Sequence, residues 1–433
     1  SQGNIFALDG SEQIAMLTEK LEMQNEAIVV AAEKFYGALD GFFHEEMLRE
    51  DFLPARLRIL SHHRQHCDWP LILQLADELD NSLSLLSATS FQILDLARAG
   101  MIDGDKQSLP RGFEELFSLA AVGRSLADTI RSCISDSDDN YVAWVEYHDA
   151  ERKPGLCIAP IEISSLLTSL LYEKTEAIIM TSATLSINDD FSYFKRRTGL
   201  DLLPEPAREL TLPSPFYFED QVLFTIVDDL PDWSNCPEKK ATAAISSCLI
   251  RLLSASKGRA IVLFTSHQQL KNVYREINRP LQEQGISVLA HGVSGDPYML
   301  VKRLKNEERC CILGAASFWE GVDVIGEALS LIVVVRLPFW PPNTPLAATR
   351  MERLEAAGKS SFKDYSLPMA LIRFKQGFGR LIRTDKDSGV FCVLDKRIVE
   401  KRYGTSFIKA LPKLRQVRGD TDTVAAEIKK WLK

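Results

Sequence analysis

Six short runs of almost unbroken apolar residues, spaced by helical patterns, constrain this chain more than any other feature in it. They are Val222–Val227, Arg259–Phe264, Ile286–Ala290, Cys310–Leu313, Ser330–Val335 and Val390–Leu394. A strand that is apolar on both faces must be covered on both faces, which is the situation of a parallel sheet flanked by helices. Helical patterns fall between the runs, at about 238–255, 265–279, 296–305, 345–357 and 367–384. Alternation of this kind predicts an α/β fold over 208–433: a doubly wound, mostly parallel sheet.

Upstream the pattern differs. Residues 11–47 repeat apolar side chains at helical spacing (Ile14, Leu17, Leu21, Ile28, Phe35, Leu39), and similar patterns recur at about 48–63, 70–100 and 110–134. The expectation is an all-helical arm over 1–136. Residues 137–207 then read as a partial α/β block. It holds strands at Tyr141–Tyr147 and Leu156–Ile163, a helix at Ser164–Tyr172, and a central strand at Ala177–Leu185 that ends in hydroxyls.

The net charge of −8 conceals an asymmetry. Residues 1–140 carry 24 Asp and Glu against 11 Lys and Arg, whereas 141–433 carry 35 against 40. A mildly basic remainder permits a cationic groove for nucleic acid. No run of eighteen apolar residues is present, and the first residues show no signal-peptide pattern. The eight cysteines are scattered without a C-x-x-C pair, which argues against a structural zinc or iron–sulfur site and for a reducing, cytoplasmic setting. His62 and His66 could ligate a metal across one helical turn, but no second pair completes the set, so a polar surface cluster is the preferred reading and no metal site is assigned.

Chemistry concentrates in Lys375–Thr384. Arg373, Gln376, Arg380 and Arg383 follow one another at spacings of three, four and three, which places them on one face if the helix runs through 384. Forked guanidiniums suit a polyphosphate. Gly377 and Gly379 each cost a helix roughly 1 kcal/mol and so require a packing or close-approach reason. Four further loops, expected at strand carboxyl ends, are Thr181–Thr184, Thr265–His267, His291–Gly295 and Ala315–Asp323. In the last, Phe318 and Trp319 are either a stacking platform or ordinary core anchors.

Taken together, these segments resemble the superfamily 2 helicases of the DinG/XPD group. Thr181-Ser-Ala-Thr-Leu185 is similar to helicase motif III, Val262–Ser266 to motif IV, Ser317–Asp323 to motif V, and Gln376-x-x-Gly379-Arg380-x-x-Arg383 to motif VI. Asp395-Lys-Arg397 and Arg402-Tyr-Gly404 resemble the end of the same motor domain. The resemblance implies an arch-like arm at 1–136, the remnant of motor domain 1 at 137–207, and a RecA-like motor domain 2 at 208–433.

It also implies roles. Arg380 and Arg383 would be arginine fingers on the γ-phosphate, with Gln376 beside them. Glu320, Gly321, Asp323 and Gly379 would lie on the nucleotide side. Thr181, Ser182, Thr184, Ser266, Ser294 and Trp319 would meet single-stranded DNA. Neither a G-x-x-x-x-G-K-[ST] loop nor an Asp-Glu-Ala-His box occurs in the sequence. The chain therefore reads as the carboxyl-terminal part of a 5′→3′ DNA helicase whose amino-terminal motor half would hold most of the ATP and Mg²⁺. By itself it should be inactive, with its arginines turned to solvent or toward a chance anion. Two alternatives stand beside this: a DNA-binding or regulatory module of a protein whose chemistry lies in an upstream exonuclease domain, and a structural adaptor using the acidic arm.

Overall fold

Two apolar layers, one on each face of a seven-stranded sheet, organise the larger part of the molecule. The computed structural model describes residues 10–48, 55–99, 111–135, 138–147, 153–233, 236–319 and 329–433. By contact density the chain forms two units: Ser1–Glu162 with Asn343–Thr349, and Ile163–Pro342 with Arg350–Lys433.

The first unit is built on three long helices, Gly10–Leu48, Trp69–Ala99 and Arg111–Ile134. Phe35, Leu39 and Phe43 of the first pack with Trp69, Ile72 and Leu79 of the second and Ala127 and Ile130 of the third. This is the core that the helical spacing called for. The same unit holds an antiparallel sheet of β1 (Ala55–Arg58), β2 (Tyr141–Tyr147) and β3 (Pro154–Pro160), in the order β1-β2-β3. The helix expected over 48–63 is therefore corrected at Ala55–Arg58. Pro54 opposes a helix running through it, and Arg56 finds a better partner in extended form. It stands opposite Glu146 in the register and its guanidinium reaches that buried carboxylate at 3.0 Å. The Trp144 indole N–H donates to the other Glu146 oxygen at 2.9 Å. Strand β2 thus pairs with β1 on one edge and β3 on the other, and neither β2 nor β3 pairs with the segment at 163–207.

The second unit contains β4 (Val222–Val227), β5 (Ala260–Phe264), β6 (Ser287–Ala290), β7 (Cys310–Ala315), β8 (Leu331–Val334), β9 (Gly389–Val393) and β10 (Arg415–Gly419). Their order is β10-β4-β9-β8-β5-β7-β6 and every neighbouring pair is parallel. Successive side chains alternate between faces, so Val222, Phe224 and Ile226 enter one apolar layer while Leu223 and Val227 enter the other. Strand β10 was not foreseen. Its Arg-Gln-Val-Arg-Gly sequence is mostly exposed, as an edge strand can be, and the helix Thr421–Trp431 after it buries Val424 and Ile428.

The strand expected at Ala177–Leu185 does not form. The segment is irregular, and Ile179 is 93% exposed. A central strand owes its stability to partners on both edges, and none of the described strands pairs with this run.

Candidate functional site

The helix that carries the motif VI residues spans Leu367–Phe378 and ends with Gly379 as its carboxyl cap. The predicted extension to 384 is thus corrected, and with it the single arginine stripe. Arg373 stays on the helix and is 8% exposed, its guanidinium 4.3 Å from the Trp340 ring. Arg380 and Arg383 lie in the turn that follows. Gly377 owes its presence to packing: a Cβ there would sit 3.3 Å from a Leu263 methyl and 3.4 Å from the Trp319 ring.

Past the helix end, a cavity of about 1150 Å³ opens. Ser182 and Thr184 line it from one side, Thr211–Phe216 and Phe218 from another, and Lys375, Gln376, Gly379, Arg380 and Arg383 from a third. Its charged lining is four basic side chains, Lys409 among them, against one acidic, Asp189. Thr211–Phe218 leads into β4 and the Arg383 turn leads into β9, so the cavity lies on the amino-terminal side of these strands. The carboxyl-end expectation concerned the four loops, of which Thr181–Thr184 contributes Ser182 and Thr184 to this lining. Arg380 is only 5% exposed, which corrects the expectation that it points to solvent; Arg383 is exposed.

Lys375 bridges two walls. Its Nζ donates to the Ser186 carbonyl at 2.9 Å, and burial holds its pKa below the ordinary lysine value, partly offset by nearby Asp189. Ser182 and Thr184 share a hydroxyl contact of 3.2 Å, and the Thr184 N–H donates to Ser182 Oγ. Thr181 is exposed. The turn bearing Arg383 is knitted by Asp387, whose Oδ2 accepts from the Arg383 and Thr384 N–H groups at 2.8 Å each. Gln221, the residue before β4, donates from Nε2 to the carbonyls of Thr384, Asp385 and Asp387. Neither Gln221 nor Asp387 was a sequence candidate. A glutamine 163 residues away from its partner carries no local signal.

The remaining candidates gather at the carboxyl ends of β5, β6 and β7. Ser266 caps the helix His267–Gln282 by accepting from the Gln269 N–H at 3.3 Å. Ser294 precedes the helix Pro297–Asn306 but does not cap it. Asp296 does, while Ser294 accepts from the Ala290 N–H. The His267 and His291 rings stand 5.0 Å apart and His291 lies 5.2 Å from Phe318. Burial lowers both histidine pKa values, and for His267 the neighbouring His291 adds to it. Trp319 is fully buried, with its indole N–H donating to the Phe264 carbonyl at 2.9 Å. That corrects its assignment as a base-stacking surface, because the ring has no free face and its donor is committed. Phe318 is equally buried, so the core-anchor alternative holds for both. Glu320, Gly321 and Asp323 lie outside the described residues.

Beyond β9, Asp395 is fully buried and accepts from the Leu337 N–H at 2.9 Å and from Arg397, with Nη2 at 2.6 Å. This carboxylate joins the loop after β8 to the one after β9. Among the described residues of the first unit, two trios bring metal-ligating atoms together: Glu46 with His62 and His63, and His66 with Cys67 and Asp68. The pair weighed from sequence, His62 with His66, falls into different trios.

A family model described as the helicase C-terminal domain matches residues 249–414. The 3′-5′ exonuclease DinG of Bacillus subtilis is 28% identical over 403 residues, covering 91% of this chain and 42% of its own length. The ATP-dependent DNA helicase YoaA of Escherichia coli is 32% identical over 325 residues, covering 75% of this chain and 49% of its own. The chain thus spans about half the length of the curated relatives it matches. Among solved structures, one of XPD without ligand aligns with a TM-score of 0.54 at 16% identity, over 90% of this chain and 72% of the other. Xpd4 of S. tokodaii aligns at 0.51 and 12% identity, over 94% and 74%. These two likenesses show the fold.

Proposed function

This chain carries the helicase C-terminal domain of a DinG/XPD-like superfamily 2 protein, and from that premise we propose that its cavity is the second-motor face of a nucleotide site in an ATP-dependent DNA helicase. One observation carries the reading: Lys375, Gln376, Arg380 and Arg383 line a single cavity with Ser182 and Thr184. Two sequence segments almost two hundred residues apart meet where a triphosphate would be held. A cavity lined by four cations and one carboxylate suits the anionic end of ATP. The single carboxylate does not make a magnesium site, so Mg²⁺ would be held by groups outside this lining. Arg380 and Arg383 would stabilise charge on the transferring phosphoryl group, and Ser182 and Thr184 would link the cavity to DNA.

Single-stranded DNA would cross the carboxyl ends of β5 and β6. There the hydroxyls of Ser266 and Ser294 accept a backbone N–H each and keep a proton to donate to phosphate. Translocation would run 5′→3′, with ATP turnover needing the amino-terminal motor half. No described helix is long and apolar enough to cross a membrane, and all eight cysteines are free thiols, as a reducing cytoplasmic setting would keep them.

A second reading has its own support. The relative matched over 91% of this chain is named an exonuclease, so the same architecture could serve as a DNA-binding module beside a nuclease. The two readings part in one experiment on the full-length polypeptide. A helicase hydrolyses ATP faster when single-stranded DNA is added and displaces a strand from a 5′-tailed duplex. DNA degradation without ATP turnover would overturn the helicase reading in favour of the nuclease one.

A further inference from the structure

The turn bearing Arg383 is held in place by a residue far from it in the chain. We propose that Gln221 is a positioning residue that fixes the Arg383 turn against the root of β4 and so sets where that arginine stands in the cavity; this rests on the arginine-finger reading above. Gln221 is 8% exposed. Its Nε2 approaches three carbonyl oxygens, at 3.1 Å for Thr384, 3.1 Å for Asp385 and 3.0 Å for Asp387. An amide nitrogen has two hydrogens, so three acceptors share two donors in a tight cluster. The other end of the side chain, Oε1, is buried with no hydrogen-bond partner. The contacts that reach across the chain are all made by the donor end, to three carbonyls of one turn. What the geometry favours is the donor end.

The clamp has two tiers. Asp387 closes the turn from inside through the N–H groups of Arg383 and Thr384. Gln221 then ties the closed turn from outside through its carbonyls. The tie is short and stiff, because Gln221 ends the small helix Phe218–Gln221 and the next residue, Val222, begins β4 in register with Gly389 at the start of β9. Upstream, Phe216 and Phe218 line the cavity, and the Phe218 ring lies 5.5 Å from Phe378 at the end of the motif VI helix. A ligand that shifts the 211–218 wall would therefore shift Gln221, and with it the turn that carries Arg383.

The test separates donation from packing. Gln221→Met keeps the length and volume, removes the donor, and also removes the unsatisfied oxygen. Hydrogen exchange on this chain should show the Arg383 and Thr384 amides exchanging at least 10-fold faster, with the β4 and β9 amides unchanged. In the full-length protein, kcat for ATP should fall about 10-fold with KM for ATP within about twofold. Unchanged exchange at Arg383 and Thr384, or an equal rise across β4 and β9, overturns the clamp. Faster exchange at the turn with kcat untouched leaves the tie in place but overturns its role in positioning Arg383, and points against the arginine-finger reading itself.

Discussion

Trp319 shows how far a single residue's chemistry can be read without its surroundings. Beside an acidic loop, an indole is as good a stacking platform as a core anchor, and only burial decides. The ring fills space among Leu263, Gly377 and Arg373, and its N–H bonds the last carbonyl of β5. Trp319→Ala should therefore cost about 3–5 kcal/mol of unfolding free energy in urea, and Trp319→Phe about 1 kcal/mol for the lost hydrogen bond. A stacking residue would instead weaken DNA binding and leave stability alone. Histidines give the second prediction at this scale. Burial lowers the pKa of His63, His267 and His291 below the ordinary value, outweighing the Glu46 partner in the first case. The folded state thus prefers them neutral and binds fewer protons than the unfolded chain. Stability should be full above about pH 6.5, the unperturbed value, and decline as pH falls through the lowered values. Urea midpoints at pH 7.5 and 5.5 check the sign, and replacing His63 with Phe should flatten the slope.

Elements were legible where one physical requirement dominated. Val222–Val227, Ala260–Phe264 and Gly389–Val393 must be buried on both faces, and the unbroken apolar sequence states as much. The helix Glu238–Ala255 forms where it was expected, at about 238–255. What escaped were elements whose stability comes from a partner. Strands β1 and β10 are short, arginine-rich edges fixed by the strand alongside. The 177–185 run failed in the opposite sense: it has strand-like composition, but none of the described strands lies paired beside it. The motif VI helix stops early because Gly379 takes the cap, a fact the glycine cost hinted at without locating the end. The prediction at this scale concerns the β10 end. Ile428→Ala, in the helix after β10, should cost about 2–5 kcal/mol and lower the unfolding midpoint of the seven-stranded unit. A loss below about 0.5 kcal/mol would mean that the carboxyl-terminal helix is not part of that cooperative core.

At the scale of the whole molecule, the charge division and the cavity belong to one account. The acidic first 140 residues repel a polyanion, so DNA contact should rest on the second unit and fade with salt through the few phosphates it neutralises. ATP would be approached from the Arg380 side. That leaves one claim on which everything else turns: Arg380, buried at the cavity wall, acts on the phosphoryl group in transfer. Steady-state ATP hydrolysis by the full-length protein, with saturating single-stranded DNA, tests it through Arg380→Ala and Arg380→Lys. The account predicts a fall in kcat of about 10³-fold or more for Arg380→Ala, little rescue by the lysine, and unchanged affinity for DNA. Full activity in the alanine variant would contradict it.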